Sequence, residues 1–445
     1  MHALTSNSPA NISLCSALIL TTSISIVKGG ATQWVSLFWV TSSCLALIAL
    51  FIIDDLKSTS KRNSISVFFT LPFSLFIAFQ GWTIIQSLTL ITQDLPTSLE
   101  HSLIGVGMLC LLAIWLKALF HASALRYFYI ALILFTVLQS IYGLAILFSG
   151  ANLILWMPKL HYLDRPTGLF VNANHFAAYL VLVIILMISK QVLVMKTRHD
   201  INHNVDNYSA FKLIDQIYNP SNLIIAFLFG TLMLTKSIGA FTALGVVLVL
   251  MACHLTVRHK QFKRLLLAGL LVLLTFSLFF LNMDYSVIEQ ELSGLSHTWW
   301  RRLELTQAAA TMLNDHWLFG VGGGAFYSQF SAYRTLDIGN SYYNFAHIDL
   351  LQFWIEYGLV GISLLALFIL AVLRENFSVL TNSRSIMRLA FAYTSIYGTI
   401  AVAIHSLVDF PLHIPGFSVL FIVIVSINSL CSTHQKFRGS TNYDD

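Results

Sequence analysis

The sequence predicts an all-α polytopic membrane protein of about twelve transmembrane helices with one large loop on the outer side. Three observations carry this prediction. Hydrophobic residues make up 57% of the 445 residues and charged residues only 10%, against roughly 25% charged in soluble domains. The apolar residues form continuous runs near the ~20 residues that a helix needs to cross a bilayer, rather than the short alternating segments of a membrane barrel. Lysine and arginine are concentrated in alternate loops, as membrane insertion favours.

In chain order the runs fall at 11–27, 33–53, 66–89, 102–120, 126–148 and 174–195, then at 221–235, 238–256, 264–282, 350–373, 388–408 and 415–431. Met1 to Asn11 lacks the basic region of a cleaved signal peptide, so the first run is read as a retained helix. The seventh and eighth runs meet at Leu234-Thr235-Lys236-Ser237 and are read as two helices, because together they exceed one crossing. Cys15, Cys44, Cys110, Cys253 and Cys431 lie in or beside apolar runs with no CxxC pair. They read as packing residues rather than disulfides or zinc ligands.

All lysines and arginines except Lys28, Lys159, Arg165, Lys236, Arg301, Arg302 and Arg334 belong to one set of alternate loops. The positive-inside rule places that set in the cytoplasm, with both termini inside and segments 149–173 and 283–349 outside. The net charge of +5 is modest and implies no nucleic-acid partner. For Lys28, Lys159 and Arg334, solvation or a lipid headgroup accounts for a cation on the outer surface. Arg165, Lys236 and Arg302 sit beside polar clusters, where a substrate phosphate is the sharper reading; the guanidinium fork suits it.

Four segments carry candidate chemistry. Ala346 to Gly358 closes the long polar loop and enters an apolar run; His347 stands at the entrance, and Asp349, Gln352 and Glu356 follow at helical spacing on one face. An imidazole beside carboxylates at a membrane mouth, on a helix the outside can reach, fits proton transfer; an interfacial histidine without catalytic duty fits as well. Arg165 to Phe176 reads as a loop entering a helix that Asn174 can cap, with an N-terminus that favours an anion. His175 there reads as a structural hydrogen-bonding residue.

Gly320-Val321-Gly322-Gly323-Gly324-Ala325-Phe326 lacks the lysine and hydroxyl residue of a phosphate-binding P-loop. It reads as the end of an amphipathic helix over 300–317, where backbone can approach closely. In His405 to His413, His405 and Asp409 are spaced to share a helix face that Pro411 terminates. Asp409 near the membrane needs a partner.

These motifs, in this order, resemble the O-antigen ligase and O-antigen polymerase superfamily of bacterial membrane glycosyltransferases. The resemblance runs from about Arg165 to Pro415 and rests on Arg165-Pro-Thr-Gly-Leu-Phe-Val-Asn-Ala-Asn-His, Leu234-Thr-Lys-Ser-Ile-Gly-Ala and Gly320-Val-Gly-Gly-Gly-Ala-Phe. It rests further on Ala346-His347 with Gln352, Glu356, Gly358 and Gly361, and on Leu407-Val-Asp-Phe-Pro-Leu-His-Ile-Pro. It implies N-terminal transmembrane helices over 1–148 and an O-antigen ligase-like catalytic region over 149–445, with 283–349 as a periplasmic loop and a lipid-dependent GT-C-type fold.

The resemblance also implies an inner-membrane enzyme that moves a glycan from an undecaprenyl-pyrophosphate carrier to an acceptor hydroxyl on the periplasmic face. His347 maps onto the family's histidine as general base, aided by Asp349 or Glu356. The family's pyrophosphate site maps onto Arg165, with Lys236 and Arg302 as neighbours. Asn172 and Asn174 are read as further contacts to the pyrophosphate or glycan; His405 and Asp409 are read first as a structural hydrogen-bonded pair and, as the alternative, as supporting the site. Protein cations would stabilise the departing pyrophosphate, so no metal or cofactor is implied. Ile348 and Ile238 depart from the family pattern, the second in place of an arginine.

An O-antigen ligase acting on lipid A core leads. A repeat-unit polymerase and a pilin O-oligosaccharyltransferase are alternatives within the family. A twelve-span transporter ranks lower, because it would place its ionisable residues at the bilayer midplane, whereas here they gather at the outer face.

Overall fold

The computed structural model describes residues 70–89, 91–118, 122–201, 219–259, 302–334 and 343–437, together with Leu45. The runs expected at 11–27, 33–53 and 264–282, like Arg301, lie outside the described residues apart from Leu45. Each remaining run coincides with a helix: α1 Leu71–Leu88, α2 Leu95–Ala118, α3 Ala122–Ser149, α4 Ala173–Ile201, α5 Pro220–Leu234 and α6 Ile238–His259. Between α6 and the next long helix follow α7 over 302–316 and the short α8 Phe326–Phe330, then α9 Asp349–Asn382, α10 Ile386–His405 and α11 Pro415–Phe437.

Among the described residues six helices are long and apolar enough to cross a membrane, namely α1, α2, α3, α4, α9 and α10. The apolar portions of α5, α6 and α11 are shorter. The chain is a multi-pass helical membrane protein. One departure from an all-α chain is a ribbon between α3 and α4, where β1 Leu153–Ile154 pairs antiparallel with β2 Met157–Pro158.

The helix boundaries follow from local chemistry. Thr70 caps α1 through Phe73 N, and Asn219 caps α5 by accepting from Ser221 N with Pro220 in the first turn. The α5–α6 boundary falls at Thr235–Ser237, where Lys236 adopts φ +53°.

α4 is the enclosed helix, with Phe176 to Met187 buried on every side. Lipid is as apolar as leucine, so close packing and interhelical hydrogen bonds hold such a bundle. Tyr179 Oη lies 2.6 Å from Thr136 Oγ1 on α3, and a Cβ at Gly398 of α10 would meet Leu182 of α4 at 2.9 Å. Toward the other end of the bundle, Asn376 Nδ2 donates to Ser395 Oγ and to Val425 O, tying α9, α10 and α11 together.

Candidate active site

α9 is interrupted. Gly358 has φ +66° and ψ −176°, a conformation open essentially to glycine alone. The stretch 359–382 that follows is about 36 Å long at ~1.5 Å per residue, enough to cross the ~30 Å hydrocarbon layer. Residues 349–357 are therefore surplus to the crossing and belong to the membrane mouth.

Breaking a helix strands backbone groups that lipid cannot satisfy. The glycine loop satisfies them. Val321 N donates to Ile355 O and Gly322 N to Glu356 O, both at 2.9 Å. In return Leu359 N donates to Trp317 O at 2.8 Å and Val360 N to Leu318 O at 3.4 Å. From α1, Trp82 Nε1 donates to Tyr357 O and Gln86 Nε2 to Glu356 O and Phe319 O. A Cβ at Gly320 would lie 2.3 Å from Glu356 O, so the two backbones can pair only with glycine there. The loop is a structural brace, and the expected close backbone approach is realised.

His347 stands just before α9 with φ +58°, a left-handed conformation uncommon outside glycine. Its ring is edge-on to Phe410 at 4.9 Å between centroids, and His175 approaches the same ring edge-on at 4.8 Å. Phe345 stacks on Phe410 at 4.1 Å. Burial pushes the His347 imidazole down to about 4; Asp409 opposes this, while Arg302 and His175 reinforce it. His347 is neutral at physiological pH, which is the form a general base needs.

Asp409 has the partner its position requires. Its Oδ1 lies 3.4 Å from His175 Nε2 and accepts from Phe410 N at 2.8 Å, and its Oδ2 lies 3.8 Å from His405 Nε2. Burial alone would raise its pKa, but His175, His405 and the Phe410 amide hold the carboxyl well below the usual range. Arg302, the first described residue of α7, donates through Nη1 to Val408 O at 3.2 Å. The first turn of α6 packs alongside, where a Cβ at Gly239 would lie 3.1 Å from His405 Nδ1.

The cations meet on one aspartate. Lys236 Nζ donates to Asp164 Oδ2 at 2.9 Å, and Arg165 Nε lies 3.8 Å from the same oxygen. Lys159 Nζ donates to Arg165 O at 2.7 Å and holds the loop closed. Tyr162 joins this group to the histidine cluster. Burial raises its pKa, Asp409 raises it further, and Arg165 and Arg302 oppose both.

Residues 223–366 match the family model described as O-antigen ligase. The matched stretch is less than half of the chain and lies within the part that resembles the O-antigen ligase and polymerase superfamily in sequence. No curated protein matches the chain. The matched stretch takes in Lys236, Arg302, the glycine loop, His347, Asp349 and Glu356. Arg165, Asn172, Asn174, His405 and Asp409 lie outside it.

Set against the sequence reading, the structure gathers His347, Arg302, His405 and Asp409 in one cluster and links Arg165 to Lys236 through Asp164. Three expectations are corrected. Asn172, not Asn174, caps α4, its Oδ1 accepting from Asn174 N at 2.8 Å. Asp349 and Glu356 are not exposed; with Gln352 they form one buried face, which bonds to Ala346, the glycine loop and the 406–414 segment. Neither acid is directed to His347. Both face His413, Asp349 Oδ1 at 2.5 Å from Nδ1 and Glu356 Oε2 at 3.7 Å from Nε2.

His413 and His175 are the residues that sequence reasoning undervalued. Asp349 and His413 are far apart in sequence, and no helical spacing relates them. A usable signal did exist for His175: an aspartate at the membrane surface needs a counterpart, and His175 follows the loop that carries Lys159 and Arg165.

Proposed function

We propose that the chain is an inner-membrane glycosyltransferase that transfers an undecaprenyl-pyrophosphate-linked glycan to an acceptor hydroxyl on the periplasmic face. An O-antigen ligase using lipid A core as acceptor is the leading form. The observation that carries this reading is a neutral, half-buried His347, inside the stretch that matches the O-antigen ligase model, beside a buried aspartate and Arg302.

In the proposed step His347 takes the proton of the acceptor hydroxyl as the acceptor oxygen bonds to the anomeric carbon. The anomeric carbon–oxygen bond to phosphate breaks, and its electron pair leaves with the undecaprenyl pyrophosphate. Asp409 stabilises the imidazolium formed on His347. Arg302, Arg165 and Lys236 would offset the charge of the departing pyrophosphate. A bound anionic donor would also raise the basicity of His347, so the base strengthens when substrate is present.

A fixed negative charge already occupies the space between Arg165 and Lys236, which supports an anion-binding role for the pair. Asn172 and Asn174 open α4 beside this loop and are the proposed contacts to the glycan. Both termini are proposed to face the cytoplasm, from the distribution of basic residues.

The test is genetic. Deleting the gene should alter the surface polysaccharide or a glycoprotein; the wild-type gene should restore it, and His347→Ala at equal protein level should not. Accumulation of unlinked polymer on its lipid carrier identifies a ligase, accumulation of single repeat units a polymerase, and loss of a glycoprotein alone a protein glycosyltransferase. Full restoration by His347→Ala removes His347 as the base.

A further inference from the structure

His413 lies between the two buried acids, and each of its neighbours also holds the segment that carries His347. Its ring is stacked on Phe353 at 4.2 Å between centroids and stands 6.1 Å from Phe345. Asp349, besides its contact with His413 Nδ1, accepts from Ser406 Oγ at 2.7 Å and Leu412 N at 3.0 Å. Asp349 N in turn donates to Ser406 O at 3.1 Å. On the other side, Glu356 Oε1 accepts from Gln352 Nε2 at 2.9 Å, and Gln352 Oε1 accepts from Ala346 N at 2.8 Å. Ala346 and Asp349 flank His347-Ile348, so both ends of the His347 backbone are tied to groups that converge on His413.

We propose that His413, wedged between Asp349 and Glu356, is the positioning residue that holds His347 in its left-handed conformation over the reaction site. This rests on the reading of His347 as general base. Two buried carboxylates on either side of one ring, without a cation between them, would repel and would let the start of α9 part from the 406–414 segment. A cation between them turns that repulsion into a clamp. Burial alone would push His413 down, but the hydrogen bonds and charges of Asp349 and Glu356 raise it to about 9, so it is an imidazolium at neutral pH. The geometry assigns Asp349 and Glu356 to this clamp rather than to contact with the acceptor.

The test uses the full-length protein in lipid nanodiscs, with His413→Gln, which keeps a hydrogen-bond donor but no charge. Asn376→Ala serves as a control that loosens a buried hydrogen-bonded site elsewhere in the bundle. Hydrogen–deuterium exchange is read on peptides covering 343–349, and transfer is read as kcat and donor KM.

His413→Gln is expected to speed exchange at 343–349 at least tenfold and to lower kcat tenfold or more with donor KM within twofold. Asn376→Ala is expected to leave exchange there unchanged even where its melting temperature falls as far. Unchanged exchange at 343–349 in His413→Gln, or an equal increase in Asn376→Ala, overturns the positioning role. Should the wild type transfer no glycan, the functional reading fails on its own, and the exchange measurement still decides the clamp.

Discussion

Replacing Gly358 with alanine strikes the junction on which the site depends. An L-residue at φ +66° and ψ −176° carries strain of about 1–3 kcal/mol. The added Cβ would lie 2.4 Å from Leu318 O, a backbone atom that cannot rotate away. Relief requires the glycine loop to retreat, which weakens the bonds from Leu359 N to Trp317 O and from Val360 N to Leu318 O, each worth about 1 kcal/mol net. The sum is about 3–5 kcal/mol.

The assay is the thermal midpoint of the detergent-solubilised protein, followed by fluorescence-detected size exclusion. Gly245→Ala is the comparison, because a Cβ at Gly245, in the interior of α6, meets nothing within 4 Å. Alanine there removes the flexibility penalty of a helical glycine, roughly 0.5–1 kcal/mol. Gly358→Ala should melt well below wild type and Gly245→Ala at or above it. Equal midpoints for Gly358→Ala and wild type would refute the idea that a strained break, braced by the glycine loop, shapes the mouth.

Other consequences are equally specific. The acid limb of kcat/KM, which reports the free protein, should lie near pH 4 rather than near 6.5, since His347 is held down to about 4; a limb at 6.5 contradicts its burial. For His413 the folded value of about 9 lies above the ordinary 6.5. Its contribution to stability is therefore complete below pH 6.5 and lost as pH rises through 9. It amounts to about 3 kcal/mol, and His413→Gln should flatten the fall in melting temperature between pH 7 and 10. Lys236→Ala and Arg165→Ala should each weaken donor binding tenfold or more, read as Kd for the lipid-pyrophosphate donor; unchanged binding by either removes that residue from the site. Asp164→Asn should tighten donor binding several-fold by freeing both cations, and weaker binding would show the aspartate to be part of the binding surface.

Much of the fold was legible because bilayer physics is strict. A run of apolar residues of the right length has few fates, and each described run became a helix. The division at Lys236 and the close backbone approach at the glycine loop were also readable, since a polar turn and glycine clusters are local signals. Asp349, Gln352 and Glu356 do share a face, as their spacing requires. What spacing cannot show is which way such a face turns. Here it turns inward onto His413, which arrives from a segment beyond α10, and only tertiary folding brings the two together. The break at Gly358 was hidden for a similar reason: a lone glycine in an apolar run reads as an ordinary helical residue until a partner backbone appears beside it. Asn172 and Asn174 are chemically alike as caps, and the exact start of α4 decided between them.

The most direct measurement is transfer by the purified protein in nanodiscs, given a polyprenyl-pyrophosphate-linked glycan and a panel of acceptors: lipid A core, a second lipid-linked repeat unit and a pilin. Wild type should form a new glycosidic bond to one of them and release polyprenyl pyrophosphate. His347→Ala should slow that step about 10²–10⁴-fold with donor affinity retained. A folded His347→Ala protein that transfers glycan at the wild-type rate would contradict His347 as the base.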